Sequence, residues 1–134
     1  MNAVSQGVIL HVDDERSVRE ALSMLLSGDG YGVTGATNGA QALQLAGDGL
    51  RPDVLIVDFN LDKQMNGAQV VQQLRRILGH TPPIIMLTGD PAGAELPWIA
   101  DAVIWLAQKP LNPRLLLAAL PGLVQLSRAT RGIS

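Results

Sequence analysis

Short apolar runs alternate along the chain with segments whose apolar residues recur at helical spacing. Val8-Ile9-Leu10 reads as a first strand. From Glu15 to about Ser27, Val18, Ala21, Leu22 and Leu25 fall at i, i+3, i+4 and i+7 and predict a helix with one buried stripe, ended by Gly28 and Gly30. Tyr31 to Ala36 alternates weakly, as a short second strand does, and Asn38 can cap a helix running through Ala40 to Ala46. Asp53 to Asp58 is apolar enough for a central strand covered on both faces. Met65-Asn66-Gly67 opens a third helix that turns Val70, Val71, Leu74 and Leu78 inward. Pro82-Pro83 sets up a fourth strand, Ile84 to Leu87, and Val103 to Ala107 forms a fifth. Asn112-Pro113, a capping residue followed by proline, starts the last helix. This alternation predicts an α/β domain with a five-stranded parallel sheet and about five crossover helices. One domain accounts for residues 1–134, with a core over about 8–126 and a tail from Arg128 to Ser134 that is expected to fray.

Composition narrows the class. The chain is 47% hydrophobic but only 3% aromatic, so its core must be aliphatic. A net charge of −2 without a basic stripe argues against a direct nucleic-acid surface. The absence of cysteine excludes disulfides, thiolate metal sites and a cysteine nucleophile. The N-terminus lacks a basic segment followed by an apolar one, so no signal peptide is predicted. The most apolar late stretch, Leu115 to Leu126, is broken by Pro121-Gly122 and is too short to span a bilayer. A soluble cytoplasmic protein without a membrane partner is the expectation.

The chemistry gathers at strand ends. The first strand runs into His11-Val12-Asp13-Asp14-Glu15, and the apolar run Val54 to Val57 ends in Asp58. Carboxylates that close raise one another's pKa unless a cation sits among them, and a hard, oxygen-seeking ion such as Mg2+ would resolve the conflict. The fourth strand reaches Thr88 and the fifth leads to Lys109-Pro110. In open parallel sheets the site lies beyond the strands' carboxyl ends, so these groups are placed to transfer a phosphoryl group. Taken singly, the acidic turn also reads as charge at a helix N-terminus, Thr88 as a turn residue and Lys109 as a solvated surface lysine. His11, on the same strand face as Asp13, reads as a hydrogen-bonded structural residue. His80 reads as a solvated loop residue, and Gly67 as the source of an unusual backbone conformation.

As an ordered set, Val12-Asp13-Asp14-Glu15, Asp58, Asn66-Gly67, Thr88-Gly89 and Lys109-Pro110 resemble the response-regulator receiver domain of two-component signalling, from about Val8 to Leu126. The style is that of receivers attached to hybrid sensor histidine kinases. The resemblance implies a flavodoxin-like, doubly wound sheet. It implies phosphorylation on Asp58, with Mg2+ held by Asp13, Asp14, Asp58 and the backbone carbonyl of Asn60. Thr88 would bond a phosphoryl oxygen and Lys109 would pair with the phosphoryl group, its bond to Pro110 often being cis in such domains. The donor would be a histidine kinase or histidine phosphotransfer protein. The domain would be no enzyme beyond its own phosphorylation and dephosphorylation.

The chain also departs from that pattern. The stretch from Asp58 to Gly67 lacks the usual proline and is one residue longer, so that Asp62 or Gln64 could reach the site. The position three before the lysine, commonly aromatic, is Leu106; Trp105 beside it faces the other way. Pro97 and Pro121 should shorten or kink the fourth and fifth helices. Leu96, Trp98 and Ile99 either form an apolar partner or homodimer surface there or pack inward. Two other readings stand beside the receiver. An aspartate-nucleophile phosphohydrolase would normally carry an acid where Asn60 stands, and a phosphorylation-independent adaptor would have lost an acceptor or metal residue.

Overall fold

The computed structural model describes residues 6–61, 65–90 and 103–131. Five parallel strands form one sheet: β1 (Val8–Val12), β2 (Gly32–Ala36), β3 (Val54–Asp58), β4 (Ile84–Thr88) and β5 (Ile104–Gln108). Their order is β2-β1-β3-β4-β5. The chain steps outward from β1 to β2 and then returns to β3 on the other side of β1. That reversal makes the β1/β3 boundary the switch point, where an open parallel sheet leaves a crevice at its carboxyl edge.

Helices cover both faces. The helices α2 (Gly39–Gly47) and α3 (Gly67–Leu78) pack on the face carrying Leu10, Val12, Leu55, Val57 and Met86. The helices α1 (Arg16–Gly28) and α4 (Pro113–Thr130) pack on the opposite face, with Ile9, Val54, Ile56, Ile85 and Leu87. Because β3 and β4 are buried along their whole length, their sequences are continuous apolar runs rather than alternating ones. Asn38 caps α2 through the Gln41 N–H, as its position before the helix leads one to expect. Asn66 and Gln69 form a reciprocal capping box that fixes the start of α3.

Several expectations need correcting. Of the α1 stripe, only Leu22 is fully buried; Val18 and Leu25 are half-buried and Ala21 is exposed, because that flank of the helix borders an open groove. Leu26, outside the expected set, supplies the other buried contact. The last helix is not shortened at Pro121 but runs through it to Thr130. Proline removes the N–H that would bond the Leu117 carbonyl, yet Leu116, Leu120, Val124 and Ser127 stay buried around it, and packing decides. Of the expected tail, residues 128–131 are held by contacts rather than frayed, and residues 132–134 lie outside the described residues. Arg128 lies in α4, and both Arg128 and Arg131 ion-pair with Asp53, a carboxylate buried just before β3. The expected fourth helix, with Pro97 and the Trp98 surface, lies outside the described residues, as do Asp62 and Gln64.

Asp53 ties three segments together. Its Oδ2 accepts the Val8 N–H at 2.8 Å and a hydrogen bond from Arg128 at 3.3 Å, while Oδ1 accepts from Arg131. Its own N–H donates to the Val8 carbonyl at 2.7 Å. Removing one partner of a buried ion pair leaves the others unmatched. Asp53→Ala should therefore lower stability by about 3 kcal/mol, at the low end for such a loss because the freed arginines can reach water. Gly122, by contrast, sits exposed within α4 with nothing within 4 Å of an added Cβ. Gly122→Ala should raise stability by about 1 kcal/mol. Urea denaturation of both variants measures the two effects, which must differ in sign.

Candidate functional site

The acidic turn is built from the end of β1. The Asp13 N–H bonds the Ala36 carbonyl at 3.0 Å, extending the β1–β2 pairing by one residue. Asp13 Oδ1 then accepts the Glu15 N–H at 2.9 Å, which turns the chain into α1. Arg19, one turn into that helix, reaches back to the Asp13 carbonyl at 2.8 Å. Asp13 is fully buried by this arrangement, whereas Asp14 is exposed.

Asp58 ends β3 next to this turn. Its Oδ1 accepts the Asn60 N–H at 3.0 Å, and its Oδ2 accepts from Lys109 Nζ at 2.8 Å. Lys109 Nζ also lies 3.6 Å from Asp13 Oδ2, so one ammonium group bridges two carboxylates from different strands. Carboxylate oxygens of Asp13, Asp14 and Asp58 all lie within 4.8 Å of one another. Burial pushes the Asp58 pKa up, against the lowering effect of the Lys109 and Asn60 hydrogen bonds, and the nearby Asp13 charge adds to the rise. Burial also works against the charge on Lys109, but its hydrogen bond to Asp58 and the charge of Asp13 carry its pKa above the usual lysine value.

This donor set fits a divalent metal ion. All three ligand candidates are carboxylate oxygens, the donors a hard cation takes. Asp13 Oδ2 is buried without a hydrogen-bond partner, an acceptor left for something else to satisfy. Asp13, Asp14 and Asp58 could therefore hold such an ion, with Asn60 at the rim.

Thr88 and Lys109 sit at the same edge on adjacent strands. The Lys109 N–H bonds the Thr88 carbonyl at 2.8 Å, and the Thr88 hydroxyl accepts the Asp90 N–H at 3.1 Å. The Lys109–Pro110 bond is cis. Leu106 packs with the α2/α3 face and Trp105 with the α1/α4 face, so the two do face opposite ways. Asn60 contributes its backbone N–H to Asp58, and its residue is otherwise exposed.

Three residues depart from their sequence-based reading. Gly67 has no left-handed backbone; the positive-φ glycines among the described residues are Gly30, Gly49 and Gly79. It is needed for space: a Cβ there would lie 2.5 Å from the Asp58 carbonyl oxygen and 2.9 Å from Phe59 Cα. The N-terminus of α3 is thus pressed against the Asp58 loop, and the Gly67 N–H bonds the Phe59 carbonyl at 2.9 Å. His11 is not hydrogen-bonded. Both its ring nitrogens are buried without a partner, because its neighbours across the sheet, Gly35 and Ile56, offer no polar side chain. Burial lowers its pKa from 6.5 to about 4, the nearby Asp13 opposing that shift. His80 is half-buried rather than solvated, with Nδ1 3.2 Å from the Leu78 carbonyl.

A groove of about 680 Å³ opens beside the site, between α1 and the segment leading into α4. Val18, Leu22, Leu25, Leu111 and Leu116 give it an apolar wall, and Glu15 and Lys109 lie at its margin. Nothing in the sequence marks it, because the helical stripe reads the same whether covered or open.

The response regulator receiver domain family matches residues 9–120. The response regulator MprA of Mycobacterium leprae is 40% identical over 87 residues, which cover 65% of this chain and 37% of that protein. The chain therefore spans little more than a third of the length of that relative. Among solved structures, the chemotaxis protein CheY4 of Vibrio cholerae superposes with a TM-score of 0.70 at 32% identity, covering 90% of this chain and 99% of that one. The N-terminal domain of a response regulator/sensory box/GGDEF protein from Carboxydothermus hydrogenoformans reaches 0.80 at 23% identity, covering 92% and 98%, a likeness of fold.

The close packing at Gly67 yields a direct test. Gly67→Ala must move either the start of α3 or the Asp58 backbone. Overpacking of this kind should cost about 1–3 kcal/mol of stability. Backbone amide shifts of Asp58, Phe59 and Asn60 in an NMR spectrum should change with it, while those of β2 stay in place.

Proposed function

Because the chain belongs to the response regulator receiver domain family, we propose that Asp58 accepts a phosphoryl group from a phosphohistidine on a partner protein. In this reading Asp13, Asp14, Asp58 and the backbone carbonyl of Asn60 hold Mg2+. The observation that carries it is the junction of Asp58, Lys109 and Asp13 at the sheet's switch point, with a buried Asp13 oxygen that accepts no hydrogen bond.

The chemistry is an in-line displacement. An oxygen of Asp58 forms a bond to phosphorus as the phosphorus–nitrogen bond to the donor imidazole breaks, and the electron pair leaves with the imidazole. Mg2+ held by Asp13, Asp14 and Asp58 would supply charge neutralisation for the displacement. Lys109 holds Asp58 in place beforehand and then pairs with the transferred group. The Asn60 N–H holds Oδ1 and Lys109 holds Oδ2, so the Asp58 carboxylate is oriented before the donor arrives. The product brings roughly −1.5 to −2 charge to this edge. Thr88 can turn its hydroxyl hydrogen towards a phosphoryl oxygen while its oxygen still accepts the Asp90 N–H.

The partner in this reading is a histidine kinase or a histidine phosphotransfer protein. Its histidine must approach Asp58 from beyond the strand ends, and the apolar groove between α1 and α4 begins at that edge, next to Lys109. A helix presenting an apolar face could seat there with its histidine over the acceptor.

Incubation with acetyl phosphate and Mg2+, followed by intact mass measurement, tests the proposal. One phosphoryl adduct is expected on the wild type, and none on a folded Asp58→Asn variant or in chelator. An adduct that persists in the variant, or that forms undiminished without divalent metal, overturns the assignment. Absence of both the adduct and beryllofluoride binding would favour the phosphorylation-independent adaptor.

A further inference from the structure

The ring of His11 lies beneath the acidic turn, fully buried on the sheet face that also carries Ile9 and Ile56. A valine or isoleucine there would fill the same core without a polar atom. Instead the position holds two ring nitrogens, and neither has a hydrogen-bond partner. Asp13 Oδ2, two residues on and on the same side of the strand, is also buried and accepts no hydrogen bond. His11 Nε2 stands 3.8 Å from it. That distance is too long for a hydrogen bond, so two buried polar atoms lie close to each other without being joined. An unpaired buried donor or acceptor costs about 1–3 kcal/mol, and native proteins seldom leave two such groups adjacent without use.

The geometry points to His11 as a positioning residue for the metal site: when a divalent cation is bound, its Nε2–H closes the 3.8 Å gap to Asp13 Oδ2 and fixes that carboxylate for the ion. The inference rests on the reading of Asp13 as a metal ligand. A carboxylate oxygen has more than one lone pair, so Oδ2 can face a cation and still accept from the imidazole. The Glu15 N–H already fixes Oδ1 at 2.9 Å, so a second donor on Oδ2 would lock the carboxylate's rotation. Lys109 cannot do this alone. It sits 3.6 Å from Oδ2 and is bound more closely to Asp58, and its charge opposes that of an incoming cation. A neutral imidazole orients the same oxygen without that repulsion. Hydrogen-bond partners of metal ligands typically contribute 10–100-fold to metal affinity.

Mg2+ binding measured by calorimetry on the whole protein, without any phosphodonor, tests this. His11→Leu should weaken Mg2+ binding about tenfold, a size set by the usual contribution of such partners. His11→Gln, which keeps an N–H donor, should recover most of the affinity. Urea denaturation establishes that both variants are folded. A long-range nitrogen–proton NMR spectrum of the wild type gives a reading that does not depend on any variant. It should show the ring protonated at Nε2, with that proton moving downfield as Mg2+ is added. Equal Mg2+ affinity in folded His11→Leu and wild type overturns the role of His11 while leaving the metal site standing. So does a ring that stays protonated at Nδ1 with Mg2+ present. Failure of the wild type to bind Mg2+ at all, in parallel with Asp13→Asn, overturns the metal reading and this inference with it.

Discussion

The contact between Lys109 and Asp58 is the constraint around which the upper edge of the molecule is arranged. Three carboxylates from two adjacent strands converge there, and converging charges of one sign would spread the strands' ends apart. One ammonium group, delivered from the end of β5, lies within reach of two of them. It can do so because the sheet places β4 between β3 and β5 and pairs Thr88 with Gln108, which brings Lys109 over the β3 terminus. Buried charge is tolerated only when matched, so the strand order and the lysine's position are two aspects of one requirement.

The opposite edge answers the same requirement with inverted sign. Asp53 is a lone buried acid at the start of β3, matched by two arginines from the end of α4 and by the Val8 amide. The central strand is therefore anchored by ion pairs at both ends, one donated by β5 and one by the last helix. Between those ends β3 is wholly apolar, and its Val57 and Ile56 face the two separate halves of the core. This pinning bears on function. In the proposed reading, a strand anchored at both ends would hold Asp58 in place as the acceptor.

Much of this arrangement was legible in the sequence, and the parts that were not share a cause. The strands that carry Asp13, Asp58 and Thr88 announce themselves as apolar runs ending in polar chemistry, and the Asn38, Asn66 and Asn112 caps mark helix starts by a local mechanism. Long-range facts left no such mark. The partners of Asp53 come from 75 and 78 residues away, and no local pattern links them. Gly67 looks like a turn glycine until the approach of the Asp58 carbonyl to its missing Cβ is seen. Pro121 is a helix breaker by propensity, overruled here by the burial of Leu116, Leu120 and Val124. The α1 stripe is periodic, but periodicity does not reveal that its Val18 and Leu25 flank lies open.

How a charge placed on Asp58 would travel outward is constrained by the same contacts. An aromatic side chain rotating three residues before the lysine is not available, since Leu106 occupies that position and Trp105 packs on the other face. What remains is the backbone. Thr88 links to Lys109 through its carbonyl and to Asp90 through its hydroxyl, so a hydroxyl that re-aims towards a new anion would disturb the Asp90 contact while the Lys109 one is kept. Lys109 in turn leads directly into the cis Pro110 and the wall of the apolar groove. In the proposed reading, the group that receives the phosphoryl and the surface that meets the partner therefore share one residue. A phosphorylated Asp58 holds Lys109 differently from a free one, which gives a partner differential contacts with the two states. That difference is all that is required to shift a two-state population. The donor would then be released by the same chemical event that it causes, without any change in the sheet.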